Sequence, residues 1–366
     1  MRFWRRLKTA ATILLLALGG QTLPAAAAAP DYAALNAALV DSYVIPHYAA
    51  FAERTAVLEA SLREACADGR LEARESAAAY NDAMDAWMAV QHLRFGPAVL
   101  FLRYDRIEFW PDKRGTLRRH LARMLSQRDT KALEPRAFAE GSVAVQGFPA
   151  LERLLFDDGD AVRASPLACP LALAIGGNLR GIAGALLADW RDGGSSYAQV
   201  VKSAADGNEH YFDAKEASLE FAKALRGALL LVEDYKLGRP LGDEPASARQ
   251  TRAESWRASR SLRNVRINIE AARALYRGTG AVSLSSLLRE QPEGAGLDRA
   301  IGAAFERLSA ALAAQPESLA VALRQPDGWE KLDAVRAETG RLMELLSGPL
   351  SEVLDLPIGF NSYDGD

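Results

Sequence analysis

Apolar residues recur at three- and four-residue intervals along almost the whole chain, and no stretch alternates apolar and β-branched positions over the length of a strand. This periodicity, with alanine filling many intervening positions, predicts an all-α fold. Tyr32 to Ala67 reads as one long amphipathic helix, kinked at Pro46 and closed by Asp68-Gly69. Leu71 to Phe95 is the second helix, ended by Gly96-Pro97. An aromatic connection, Phe101 to Pro111, leads to Asp112, which is placed to cap a basic helix running to about Arg128. Ala137 to Gly147 is a further helical piece, Phe148 to Phe156 a short apolar helix, and Asp157 to Ser165 a surface loop. Pro166 opens a helix through Trp190, whose glycines at 176, 177, 181 and 184 include pairs at helical spacing suited to close packing. Helices follow over Tyr211 to Leu237 and, after a Gly/Pro linker, over Ser247 to Tyr276. Shorter ones start at Leu284, Leu297, Glu317 and Trp329, and Leu356 to Asp366 is a non-helical tail.

The two ends and the length organise this pattern. Arg2, Arg5, Arg6 and Lys8 precede an apolar core, Ala10 to Leu18, and Ala25 to Ala29 offer small-residue cleavage sites. Residues 1–28 therefore read as a signal peptide cut near Ala28, and the mature chain as exported and periplasmic. The apolar core is shorter than the roughly 20 residues a spanning helix needs, so no membrane span is expected. The remainder is long enough for two domains: a helical bundle over 30–160 and a second over 161–366, with a cleft between them. A short echo runs through both, Trp87 with Arg94, Gly147-Phe148 and Asp158-Gly159-Asp160 against Trp256 with Arg263, Gly359-Phe360 and Asp364-Gly365-Asp366. It fits either a duplicated bundle or coincidence.

Charge and cysteine content narrow the function classes. With 44 basic and 47 acidic residues, nothing attracts nucleic acid or an anionic membrane in bulk. Cys66 and Cys169 are the two cysteines; in an oxidising compartment they predict a disulfide, with two buried thiols as the alternative. His47, His92, His120 and His210 have no paired spacing, which argues against an ordinary zinc site. Neither a nucleophile elbow nor a phosphate loop is present.

Three groups of residues could carry chemistry. Trp87, Gln91 and Arg94 fall on one face of the second helix, where an aromatic, an amide and a guanidinium could hold a small anion; a buried Trp beside solvated neighbours is the plainer alternative. Arg257, Ser261, Asn264 and Asn268 form a stripe without Lys or Glu, which is either a polar cleft wall or a wet face. Glu152 is the one carboxylate inside the apolar run Phe148 to Phe156. Its candidate roles are dipole partner, ion-pair partner of an arginine such as Arg94, or, least favoured, metal ligand.

AVQHLRFGP from Ala89, RIEFWPDKRG from Arg106, SVAVQGFPALERLLF from Ser142, ESWRASRSL from Glu254 and the terminal GFNSYDGD together resemble the imelysin-like proteins over nearly the whole mature chain. The resemblance implies two helical bundles with a functional site between them, in a family known both as metallopeptidases and through periplasmic iron uptake. Its Gly-x-His-x-x-Glu motif falls on Gly147, Pro149 and Glu152, so the histidine is replaced by a residue that can neither ligate a metal nor move a proton. The expectation is a binding protein, for iron or a small anionic ligand, with a cleft lined by Trp87, Gln91, Arg94, Gly147, Phe148, Glu152, Arg257, Ser261 and Asn264. A metallopeptidase and an envelope protein-interaction module are the alternatives.

Overall fold

A computed structural model describes residues 29–71, 73–127, 130–157 and 165–358. The expected signal segment, the Asp158–Asp160 turn and the terminal residues 359–366 lie outside them. The described residues form an all-α fold, as the periodicity predicts. Helix α1 (Tyr32–Leu39) begins at Asp31, whose carboxylate accepts the Ala34 N–H at 2.9 Å. It passes through a π-helical turn, Val40–Val44, into α2 (Ile45–Ala65). The expected kink is thus a π turn in a continuous helix, and Pro46 follows it directly as the second residue of α2.

Helix α3 (Ala73–Met88) stops well short of Phe95, and turns carry residues 89–95. After α4 (Arg103–Ile107), Asp112 caps α5 (Thr116–Gln127), its two oxygens accepting the N–H groups of Thr116 and Leu117 at 2.8 and 2.9 Å. The expected Ala137–Gly147 helix is instead a short α6 (Pro135–Ala139) and a 3-10 turn, Val143–Val145. Next come α7 (Phe148–Phe156), α8 (Ala168–Arg191) and α9 (Tyr197–Lys202). Helix α10 (Ala214–Leu230) continues as a π segment, Leu231–Gly238, before α11 (Ser261–Arg277), α12 (Leu284–Arg289), α13 (Gly294–Ala313) and α14 (Gly328–Leu345).

The long helix expected from Ser247 does not form. Two 3-10 turns, Pro245–Ser247 and Gln250–Arg252, and a run of turns occupy the chain up to Arg260. Ser255 and Ser259 take left-handed backbone angles, φ 48° and 56°, which a helix does not allow. Arg257 is therefore not on α11, and the proposed echo places Trp87 in a helix but Trp256 in a turn.

Helix α2 packs along both α3 and α8, and α8 also meets α7, so the two sides of residue 160 share this packing. Gly176 leaves room for Leu62 of α2 at this contact: a Cβ there would lie 2.8 Å from Leu62 Cδ1, which would have to move aside. Gly181 and Gly184 face open space, so the close packing expected of the four glycines holds at only part of the stripe. Beyond this seam α10 and α3 pack on α11, α11 on α13, and α13 on α14. One apolar core runs from Leu35, Phe51 and Phe148 to Leu275, Leu308 and Leu342.

Cys66 and Cys169 form the expected disulfide between the end of α2 and the start of α8, closing a sequence separation of 103 residues. In the chain-entropy picture a loop of this length restricts the unfolded chain by about 4.7 kcal/mol. Reduction, or Cys66→Ser with Cys169→Ser, is expected to lower the unfolding free energy by about 2–4 kcal/mol in urea titrations followed by far-UV circular dichroism, with the helical signal retained in the absence of denaturant.

Candidate arginine-lined site

The site is built outward from Gly147. Its backbone lies so close to α4 that a Cβ would meet the Ile107 carbonyl oxygen at 2.1 Å and that of Arg106 at 2.5 Å. Only glycine fits there, and it starts α7 with an extended N-cap conformation. Pro149 follows in the first turn, where proline is favoured. One turn later α7 buries Glu152, which is 5% exposed.

Glu152 is engaged with backbone and does not face an arginine head-on. Its Oε1 accepts the backbone N–H groups of Arg257 at 2.8 Å and Ala258 at 3.0 Å. Burial pushes its carboxyl above the ordinary value, while these N–H donors and the Arg257 charge hold it down in part. The carboxylate thereby fixes the turn between residues 254 and 259, whose N–H groups have no helical partners.

That turn forms one wall of a pocket of about 350 Å³. Phe109, Trp110 and Pro111 line it from one side and Pro149, Glu152 and Arg153 from α7. Arg118, Arg239, Arg252 and Arg257 complete a set of five guanidinium groups with Arg153. Arg257 stacks on the Trp256 ring at 4.1 Å, and its Nε lies 3.4 Å from Asp157, which also pairs with Arg153 at 3.2 Å. Arg239 Nη1 and Arg257 Nε are buried without a hydrogen-bond acceptor. Burial and then the neighbouring Arg257 lower the Arg153 pKa, and burial with Arg252 lowers that of Arg239. Both carboxylates lining the pocket are turned to backbone, Asp112 to the start of α5 and Glu152 to the turn. The pocket thus presents donors and positive charge, the arrangement that receives a multiply charged oxyanion.

Beneath it lies a buried polar layer. Lys236, carried inward on the π segment, donates to Glu254 Oε2 at 2.6 Å and to Met88 Sδ at 3.1 Å. Asn264 Nδ2 donates to the same Glu254 oxygen at 2.6 Å, while its Oδ1 accepts from Arg260 Nε at 2.8 Å. Arg260 and Arg263 both pair with Asp85 on α3. Asn268 Nδ2 donates to the Met88 carbonyl at 2.7 Å. Glu108 Oε2 and Glu254 Oε1 are buried without hydrogen-bond partners. Burial, and next the Glu254 charge, push the Glu108 carboxyl well above its ordinary range, against the opposing pull of Lys236 and Arg260.

Of the residues singled out in sequence, Glu152 and Arg257 line the pocket. Trp87, Gln91, Phe148, Ser261 and Asn264 are buried in the interior beneath it, as is Gly147 against α4. The expected face of Trp87, Gln91 and Arg94 does not exist as such, because α3 ends at Met88. Gln91 donates to Met88 Sδ at 2.8 Å, and the Arg94 guanidinium lies 4.1 Å over the Tyr104 ring. The Ser/Asn stripe is neither cleft wall nor wet face: Asn264 and Asn268 latch α11 to the turn and to the end of α3. Pocket arginines 118, 153, 239 and 252 escaped the sequence reading because they come from four separate segments. Arg118 and Arg252 lie near the FWP and ESW motifs, but Arg153 and Arg239 do not, so no local signal joins the four.

The donor set does not suit direct metal ligation. Among the described residues no group of three His, Cys, Asp or Glu side chains is arranged to hold a metal ion. At the one place where the resemblance put such a site, Pro149 replaces the histidine and Glu152 is engaged with backbone N–H groups.

The family profile described as Peptidase_M75: Imelysin matches residues 44–345. An imelysin-like protein from Psychrobacter arcticum 273-4 superposes with a TM-score of 0.75 at 18% identity, covering 91% of this chain and 100% of that one. A protein described as iron-regulated protein A precursor, from Parabacteroides distasonis ATCC 8503, superposes with a TM-score of 0.72 at 17% identity, over 89% and 96% of the two chains. No curated protein sequence matches significantly.

Two outcomes test this geometry. Glu152→Ala strands two N–H groups and is expected to cost about 2 kcal/mol of stability, whereas Glu152→Gln keeps an acceptor oxygen and should cost less than half of that; urea unfolding of both variants decides. Glu108 has a raised carboxyl pKa, so the unfolded chain releases that proton first and stability falls as pH rises above the ordinary value of 4.5, by up to about 1.4 kcal/mol per pH unit until the folded-state value is reached. Glu108→Gln removes that dependence: its advantage over the parent protein should widen from pH 5 to pH 8 in the same unfolding assay.

Proposed function

This chain belongs to the imelysin family, and from that premise we propose that it is an exported, periplasmic binding protein which holds a multiply charged anion in the arginine-lined pocket. The observation that carries the reading is the convergence of five guanidinium groups on one pocket whose lining carboxylates are both turned away to backbone donors. Guanidinium groups stay protonated at any physiological pH, and the one Asp157 carboxylate shared by Arg153 and Arg257 leaves the set of five with an excess of positive charge that an anion with several oxygens could bridge. Phe109, Trp110 and Trp256 give that ligand flat apolar walls.

The likeness of the fold to an iron-regulated protein A precursor supports an iron-related role. In this reading iron is cargo and arrives already chelated, its chelator's carboxylates or phosphates meeting the arginines, since the pocket itself offers donors and not metal ligands. Hydrolysis of peptides by a metal-bound water has no support in the side chains present: Pro149 supplies no base, and Glu152 is engaged with the backbone.

Isothermal titration with citrate, ferric citrate and inorganic phosphate at low salt tests the proposal. At least one of these anions should bind, more weakly as salt rises, and the exposed-side variants Arg118→Gln and Arg252→Gln should each weaken it about tenfold, near 1.4 kcal/mol. Preference for ferric citrate over citrate would support the iron role. Absence of binding by all three, or chelator-sensitive proteolysis by the pure protein, would overturn the assignment.

A further inference from the structure

A second and larger hollow, about 580 Å³, shares no lining residue with the arginine pocket. It lies along α8 between α4 and α6, walled by Leu133, Phe138, Leu173, Ala174 and Ile182. Soluble helices usually cover such a face with long polar side chains, but α8 presents Gly177 and Gly181 there, and a Cβ at Gly181 would meet nothing within 4 Å. The rim is apolar as well. Phe101 is 75% exposed, and with Leu102 it takes a left-handed backbone conformation, φ 56° and 54°, that non-glycine residues adopt only at a cost.

The charges in the hollow are unequal. Arg103 is paired with Asp189 at 2.6 Å, and Glu59 with Arg63 and Arg180 at 2.6 and 2.8 Å. Arg106 is held by neutral amides, its Nε donating to Gln146 Oε1 at 2.7 Å and its Nη2 to Asn178 Oδ1 at 2.6 Å. Among the described residues no carboxylate lies within ion-pair distance of it. Burial and the nearby Arg103 lower its pKa, as expected of a cation short of counter-charge. The two amides orient the guanidinium as a fork, which suits one carboxylate.

We propose that this hollow is a second binding site, for an amphipathic monocarboxylate of the fatty-acid kind, with the carboxylate on Arg106 and the hydrocarbon chain along the glycine-bearing face of α8. The apolar wall supplies affinity in proportion to the chain buried, and the single uncompensated guanidinium fixes which end enters. This assignment does not depend on the ligand of the arginine pocket.

The probes are decanoate, below its micelle concentration, and decanol, titrated calorimetrically into the full mature protein. Decanoate should bind, and decanol should bind at least tenfold more weakly. Gly181→Leu fills the hollow from an exposed helical position where leucine is the better helix former, so it should fold normally and abolish decanoate binding. Arg106→Gln should narrow the difference between decanoate and decanol. No decanoate binding, equal binding of the alcohol, or unchanged binding to folded Gly181→Leu would each overturn the proposal.

Discussion

The hydrogen bonds from the backbone of residues 257 and 258 to the buried Glu152 carboxylate hold together parts of the chain that are more than a hundred residues apart. Without them the segment from Glu254 to Arg260, whose own backbone bonds are two turn contacts, Ser259 N–H to Trp256 and Arg260 N–H to Ser255, would be held less firmly in a path that puts Ser255 and Ser259 in left-handed angles. With them, Arg257 is delivered to the pocket beside Arg153, which α7 supplies next to Glu152 itself. One carboxylate thus determines both the wall of the pocket and the spacing of two of its charges. Its burial raises the energy of the ionised form, and two backbone donors are the compensation.

The buried layer beneath the pocket has a different logic. Lys236, Glu254, Asn264 and Arg260 are each nearly or fully buried, and a buried ion pair seldom stabilises more than apolar side chains of the same volume would. What it does here is choose one arrangement. Lys236 arrives on a π segment, Glu254 opens the unwound turn, Asn264 belongs to α11 and Asp85 to α3; the chain of hydrogen bonds closes only when all four elements are in register. A helix running straight from Ser247 to Tyr276 would break it. The polar layer therefore sets the end of α3 and the start of α11, the two boundaries that place the pocket.

Those boundaries were also where the sequence was least legible. The all-α class, the capping of α5 by Asp112 and the Cys66–Cys169 bridge follow from local pattern and composition, because periodicity, caps and an isolated pair of cysteines are short-range or compositional signals. Helical periodicity continues past Met88 and through Arg257, so pattern alone predicts longer helices; the contacts at their actual ends are tertiary, Asn268 and Lys236 at Met88 and Glu152 at the turn before α11. Glu152 and Arg257 could be named from their neighbours, but not their relation, in which side chain meets backbone instead of side chain. The remaining arginines could not be gathered at all, since nothing in sequence brings Arg118, Arg153, Arg239 and Arg252 together.

Gly147 and Glu152 are both demanded by the scaffold, whatever the pocket binds. Gly147 is required because the backbone of α4 leaves no space for a Cβ, a constraint of packing alone. Glu152 is required because two N–H groups depend on it. Position 149 is under neither constraint: it lies in the first turn of α7, facing the pocket, where proline is as good for the helix as any residue. What stands there bears on the pocket and not on the scaffold. Proline at 149 brings no ligating or proton-moving group to a wall around which arginines collect, and it leaves the scaffold intact.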